Sequence, residues 1–102
     1  NVVLLLKGAY TVIGTPDSKI FINPTGNYAL ATAGSGDVLS GFIGGFLAQG
    51  LTPLNATLLG VYIHGMAAEC FNEVTNSDQI VASDLFDGFR LAKNLIINEK
   101  KF

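Results

Sequence analysis

The apolar periodicity of this chain changes once, near Gly36, and that change limits what it can fold into. Before it, apolar residues come in short β-rich runs, Asn1–Leu6, Tyr10–Ile13 and Lys19–Ile22, punctuated by Lys7-Gly8-Ala9 and Thr15-Pro16-Asp17-Ser18. The first run is continuous, the mark of a strand covered on both faces. Proline favours the second position of a turn, so the last two runs are expected to pair as a hairpin. From Asn23 to Gly36 the sequence is loop-like, with Pro24, Gly26, Gly34 and Gly36.

After Gly36 the pattern is helical. Val38, Leu39, Phe42, Ile43, Phe46 and Leu47 are pairs repeating at a spacing of four, which line one stripe of a helix over 36–49. Gly41, Gly44 and Gly45 fall mostly off that stripe. Each weakens a helix by about 1 kcal/mol, so their presence suggests the close approach of another backbone. Gly50 ends the helix, and Thr52-Pro53 opens the next with a cap and a first-turn proline. That second helix, 53–74, is apolar nearly all round and reads as buried and central, with Tyr62 and Met66 in the core. A polar break at 76–79 precedes a third helix, 84–98, capped by Ser83-Asp84 and carrying Asp84 and Asp87 near its positive end. Strands followed by helices make an α/β chain.

With 102 residues there is material for one small domain. The chain opens on a buried-type strand at Asn1 and is expected to be a piece of a longer domain. Hydrophobic residues make up 49% and charged residues 14%, against about 25% charged in average domains. A net charge of -2 and the lack of a basic stripe speak against nucleic-acid and acidic-membrane partners. The apolar runs 38–48 and 56–71 are poor membrane spans: the first falls short of the ~20 residues required, and the second contains His64 and Glu69. One cysteine, Cys70, cannot staple the fold and fits a reducing, cytoplasmic setting. It reads as a small buried hydrophobe rather than a nucleophile.

Chemistry concentrates in Ala33-Gly34-Ser35-Gly36-Asp37-Val38-Leu39-Ser40-Gly41. A glycine-rich turn feeding a helix can point several N–H groups into one concavity, and the first helical amides are unpaired and partly positive. The result is an anion site sized for phosphate. It is not a P-loop, lacking the Gly-Lys-Ser/Thr ending, nor a dinucleotide fingerprint, lacking the third glycine. A carboxylate at such a site has two readings. Asp37 either complements the helix dipole or abstracts a proton from a substrate hydroxyl.

Lys7-Gly8-Ala9-Tyr10-Thr11, then Thr25-Gly26-Asn27, then Leu30-Ala31-Thr32 running into the glycine loop, Leu47-Ala48-Gln49-Gly50-Leu51 and His64-Gly65-x-Ala67 resemble the ADP/ATP-dependent NAD(P)H-hydrate dehydratase family in order and spacing. The resemblance thins after about Asn72. It implies that residues 1–102 are the C-terminal portion of a single ribokinase-like catalytic domain, a three-layer α/β/α sandwich. It also implies a reaction: the ring hydroxyl of hydrated NADH or NADPH is phosphorylated by ADP or ATP, with Mg2+, and phosphate is eliminated. On this resemblance Asp37 is catalytic and touches substrate. Lys7, Gly8, Ala9, Tyr10, Thr11, Gly34, Ser35 and Gly36 bind the nucleotide, and Asn27 lies by the substrate. No carboxylate cage for a metal is evident. A homo-oligomer, and a fused epimerase domain upstream, fit the family.

Each residue also has a plainer reading. Lys7 could be a solvated strand-end lysine, Thr11 a strand threonine and Asn27 a turn residue. His64, in an apolar helix, reads as a satisfied core histidine. Glu99-Lys100-Lys101 reads as a solvated tail. Two rival functions remain: a kinase of the same fold acting on a vitamin precursor such as a hydroxymethylpyrimidine or thiazole, and a non-catalytic nucleotide-binding module.

Overall fold

Three short strands and three helices follow one another in the order expected. In the computed structural model, which describes residues 2–7, 10–26, 34–75 and 80–99, they are β1 (Leu4–Leu6), β2 (Thr11–Gly14), β3 (Ile20–Asn23), α1 (Ser35–Ala48), α2 (Pro53–Thr75) and α3 (Asp84–Glu99). Boundaries move by a residue or two from the sequence reading. Of the expected tail, Lys100 and Lys101 lie outside the described residues.

The strands form an antiparallel meander in the order β1-β2-β3. The predicted hairpin joins β2 and β3. Its turn is held by the Thr15 amide donating to the Lys19 carbonyl (3.0 Å), by the Lys19 amide donating to Thr15 Oγ1 (3.0 Å) and by a hydrogen bond between Thr15 and Asp17. The antiparallel pairing of β1 with β2 brings Leu5, Ile13 and Phe21 into one row. With Val3 that row packs on Leu39 and Ile43 of α1 and Leu54, Leu58 and Val61 of α2.

The opposite face of the sheet, including that of the first strand, is bare within the described residues. Leu4 is 55% exposed and Ile20 70%, and Val2, Leu6 and Ile22 are exposed beside them. Side chains alternate faces along a strand, so half of each apolar run must find a second partner or meet water. Within these residues one face is covered, and it is the helical face.

Both helix boundaries predicted around residue 50 form as their residue types dictate. Gly50 adopts a left-handed conformation (φ 96). Its amide donates to the Leu47 carbonyl and that of Leu51 to the Phe46 carbonyl, closing the last turn of α1. Thr52 caps α2 by accepting from the Asn55 amide at 3.2 Å. At α3 the Asp84 carboxylate reaches back and accepts the Val81 amide at 2.9 Å, tying the entering turn to the helix.

As predicted, α2 is the centre. It lies against α1, α3 and the sheet, with a second core of Val38, Ala67, Ala68, Ile80 and Leu85 on its α1/α3 side. Tyr62 is not in that core: it sits at 40% exposure. The glycines of α1 also depart from expectation. A Cβ built on Gly41, Gly44 or Gly45 would meet open space, and Gly41 and Gly45 border a groove lined by Phe42, Phe46, Phe86 and Phe89. Close approach occurs instead at glycines of α2 and α3. A Cβ at Gly60 would stand 2.6 Å from Ile43 Cγ1, one at Gly65 would overlap Thr25, and one at Gly88 would overlap the Ala67 carbonyl.

Candidate functional site

The glycine loop enters α1 through Gly34, which is left-handed (φ 85) at the N-cap. That conformation strains any side-chain-bearing residue by about 1–2 kcal/mol. No side chain caps the helix, and its first acidic residue is Asp37. The amides of Ser35, Gly36 and Asp37 precede the first intrahelical bond, from the Val38 amide to the Gly34 carbonyl at 3.1 Å. Three partly positive donors therefore gather at one helix terminus, and among the described residues no side chain accepts from them.

Lys7 follows β1 and brings its ammonium to this terminus. Its Nζ lies 3.8 Å from the point where a Cβ on Gly36 would stand. Gly36 and Asp37 are exposed, so the hollow between ammonium and amides opens to solvent. Of the other predicted residues, Tyr10 is exposed and Thr11 pairs with Asn23 across β2 and β3. Gly8, Ala9 and Asn27 lie outside the described residues. Ser35 differs in kind from its glycine neighbours: at 1% exposure its hydroxyl points inward, leaving only its backbone for a ligand.

That hydroxyl meets His64 of α2. The imidazole Nε2 lies 3.2 Å from Ser35 Oγ and 3.0 Å from the Ser35 carbonyl oxygen. His64 is thus the satisfied, buried histidine expected from its apolar helix. Burial pushes its pKa below the ordinary 6.5; the hydrogen bond with the Ser35 carbonyl pulls it partly back up, and the charge of Lys7 adds a weaker downward push. The unfolded chain therefore takes up this proton first on acidification. Stability from neutral His64 is full above pH 6.5 and is lost as pH falls through the lower folded value.

A second polar cluster on α2 gave little sequence signal. Asn23 Nδ2 donates to Thr25 Oγ1 (2.8 Å) and to the Thr25 carbonyl (3.1 Å), and the Thr25 hydroxyl reaches the Tyr62 carbonyl at 3.2 Å. The Gly26 amide donates to the Glu69 carboxylate at 3.0 Å. Gly65 lies beneath Thr25, where any side chain would collide. The one visible sign of this docking was a glycine directly after His64 in a long helix.

Cys70 is half-buried, and burial first, then Glu73 and Glu69, raise its thiol pKa. A protonated thiol is a poor nucleophile, in line with a packing role. Among the described residues no three His, Cys, Asp or Glu side chains gather as metal ligands, and no helix is long and apolar enough to cross a membrane.

Comparison with known proteins places this arrangement. A bifunctional NAD(P)H-hydrate repair enzyme Nnr from Moorella thermoacetica is 53% identical over 85 residues, covering 83% of this chain and 16% of that protein. An ADP-dependent (S)-NAD(P)H-hydrate dehydratase from Neisseria meningitidis is 40% identical over 94 residues, covering 91% of this chain and 32% of that protein. The chain thus spans at most about a third of these relatives. The crystal structure of an ADP/ATP-dependent NAD(P)H-hydrate dehydratase from Bacillus subtilis, co-crystallised with ATP/Mg2+, superposes with a TM-score of 0.82 at 41% identity, over 90% of this chain and 33% of that one. The family model for NAD(P)H-hydrate dehydratase matches residues 1–89. The chain belongs to that family, and its strands and helices are part of its ribokinase-like fold.

Proposed function

We propose that the protein containing this chain repairs hydrated NADH or NADPH, using ADP or ATP as phosphoryl donor, and that Gly34–Asp37 is where the phosphoryl group is handled. The observation that carries the proposal is the placing of the Lys7 ammonium beside Gly36 in the first turn of α1, 3.8 Å from the point where a Cβ would stand, with Asp37 in the same turn. Cation, amides and helix dipole all favour an anion there. A carboxylate there is repelled by phosphate unless it handles a proton.

The chemistry balances as two steps. Asp37 takes the proton of the ring hydroxyl as its oxygen attacks the terminal phosphorus of the nucleotide. The P–O bond to the leaving nucleotide breaks, and its charge is spread over Lys7 and the amides of Ser35, Gly36 and Asp37. In the second step the C–O bond breaks and phosphate departs. Loss of a proton from the ring then restores the reduced nicotinamide. Phosphorylation turns hydroxide, a poor leaving group, into phosphate, a good one. The protein's part is positioning and charge stabilisation. Mg2+ would travel on the nucleotide phosphates, lowering their charge, since no three-ligand set gathers among the described residues. No step here depends on where it sits.

The remaining two thirds of such a protein would complete the substrate pocket and cover the apolar sheet face of Leu4, Ile20 and their neighbours. We place Asn27 by the substrate, Gly8, Ala9, Tyr10 and Thr11 around the nucleotide, and the enzyme in the cytoplasm as a homo-oligomer. An N-terminal epimerase domain would match the relatives described as bifunctional.

Incubating the intact protein with hydrated NADPH and either ADP or ATP tests the reading. Recovery of NADPH absorbance with stoichiometric inorganic phosphate is expected. A phosphorylated product that accumulates would instead favour a kinase, and binding without turnover a regulatory module.

Gly36→Ala should separate folding from binding. Its backbone is not left-handed, and a Cβ there would clash with nothing. Alanine in place of a helical glycine raises stability by about 0.4–1 kcal/mol. The added methyl nevertheless stands in the gap between Lys7 and the amides. The expected result is an unchanged or higher Tm together with weaker nucleotide binding, checked by thermal melting and calorimetry.

A further inference from the structure

We propose that His64 is a positioning residue of the phosphate loop, its Nε2–H holding the Ser35 carbonyl and so fixing the direction in which the first amides of α1 point. The inference rests on the reading of Gly34–Asp37 as that loop.

Two atoms of Ser35 meet one ring nitrogen, the carbonyl oxygen at 3.0 Å and the hydroxyl at 3.2 Å. A carbonyl can only accept, so Nε2 carries the proton and Nδ1 the lone pair. Ser35 Oγ takes the longer share of the same N–H. The pair is shut from water, at 1% and 3% exposure, where a hydrogen bond is strong and its loss leaves a bare polar group.

The need for a tether follows from the sequence around Ser35. Glycine flanks it on both sides, and glycine leaves a backbone free to turn. Gly34 at the N-cap has no side chain with which to cap the helix, so the N-cap residue does not itself fix the first turn. The tether comes from α2 instead, 29 residues away in sequence. Phe42 of α1 closes on the imidazole edge-on, with ring centroids 6.0 Å apart, and holds its plane. Lys7, after β1, is the charged group acting on the ring among the described residues. It disfavours a second positive charge there and keeps His64 a neutral donor. The ring touches no bound group in this arrangement; it acts through Ser35.

The experiment uses the intact protein, its H64Q and H64L variants, and ADP with Mg2+ as the probe. In 15N NMR of the histidine-labelled wild type, His64 should be the Nε2–H tautomer. Calorimetry should show ADP affinity lower in H64L by about tenfold, the worth of one ordinary hydrogen bond, with most of it regained in H64Q. Glutamine can present an amide N–H near the Nε2 position; leucine fills the space and donates nothing. An Nδ1–H tautomer, H64L binding ADP as well as wild type, or H64Q binding no better than H64L would each overturn the proposal. Should H64L fail to fold, the tautomer still decides it. A wild type that binds ADP but leaves hydrated NADPH unchanged would overturn the repair reaction and not the role of His64.

Discussion

Asp37→Asn in the intact protein is expected to reduce turnover by about 10²–10⁴, the usual worth of a general base, while nucleotide affinity holds or rises. Asparagine keeps the shape of the side chain but cannot take a proton at neutral pH. Asp37 is exposed in the first turn of α1. Folding therefore loses little more than one helix-dipole interaction, about 0.3–1 kcal/mol. The three amides and Lys7 still face the phosphate, now without a repelling carboxylate beside it. Single-turnover rates and nucleotide Kd for both proteins make the check. Near-full activity in Asp37→Asn would reduce the carboxylate to a helix-terminus residue and remove the proposed base.

Gly65→Val is expected to have the largest effect on the fold and to abolish activity with it. A Cβ at Gly65 would overlap Thr25 Oγ1 and stand 2.7 Å from the Thr25 carbonyl carbon. A flexible side-chain tip could yield; a backbone atom cannot without moving the segment. Thr25 would be pushed from α2, and with it go its contact with the Tyr62 carbonyl and the Gly26–Glu69 bond. Overpacking of this kind destabilises by about 1–3 kcal/mol or more. The control is Gly44→Ala, whose Cβ would meet open space in mid-helix. It should raise stability by up to about 1 kcal/mol. Adding Thr25→Ala to Gly65→Val should restore only part of the loss, because the backbone collision remains. Denaturant melts of the wild type and the three variants give the comparison, and full recovery in the double variant would show the backbone to be more yielding than argued.

The glycine turn that enters α1 is legible in the amino-acid sequence because its signal is local. Gly34, Gly36 and Asp37 lie next to one another, and a glycine turn meeting a helix stripe has few physical outcomes. The Thr52-Pro53 start and the Gly50 stop are readable for the same reason. What a sequence does not display is the pairing of distant segments. That Lys7 reaches Gly36 depends on β1 ending beside the start of α1, which no spacing encodes. Glycine misleads in α1 and escapes notice in α2, since a glycine beside open space and one beneath another backbone look alike in sequence. Tyr62 reads as core because α2 is apolar nearly all round. Periodicity cannot say which side of such a helix stays uncovered. Likewise the run Val2–Leu6 suggests two covered faces, whereas the helices here cover one.

The two loops of the site hang from one helix, Ser35 from His64 and Gly26 from Glu69, just over one turn apart on α2. Amide hydrogen exchange makes the consequence measurable. The Gly26 N–H gives its hydrogen to a carboxylate on α2, so it exchanges only when the loop lifts or α2 opens beneath it. If α2 is the last element to open, as its central packing implies, protection at Gly26 reports the loop's own lifting under strongly native conditions and merges with that of α2 as denaturant rises. Both segments would then be released in one opening event, and the candidate site would lose its shape cooperatively rather than loop by loop.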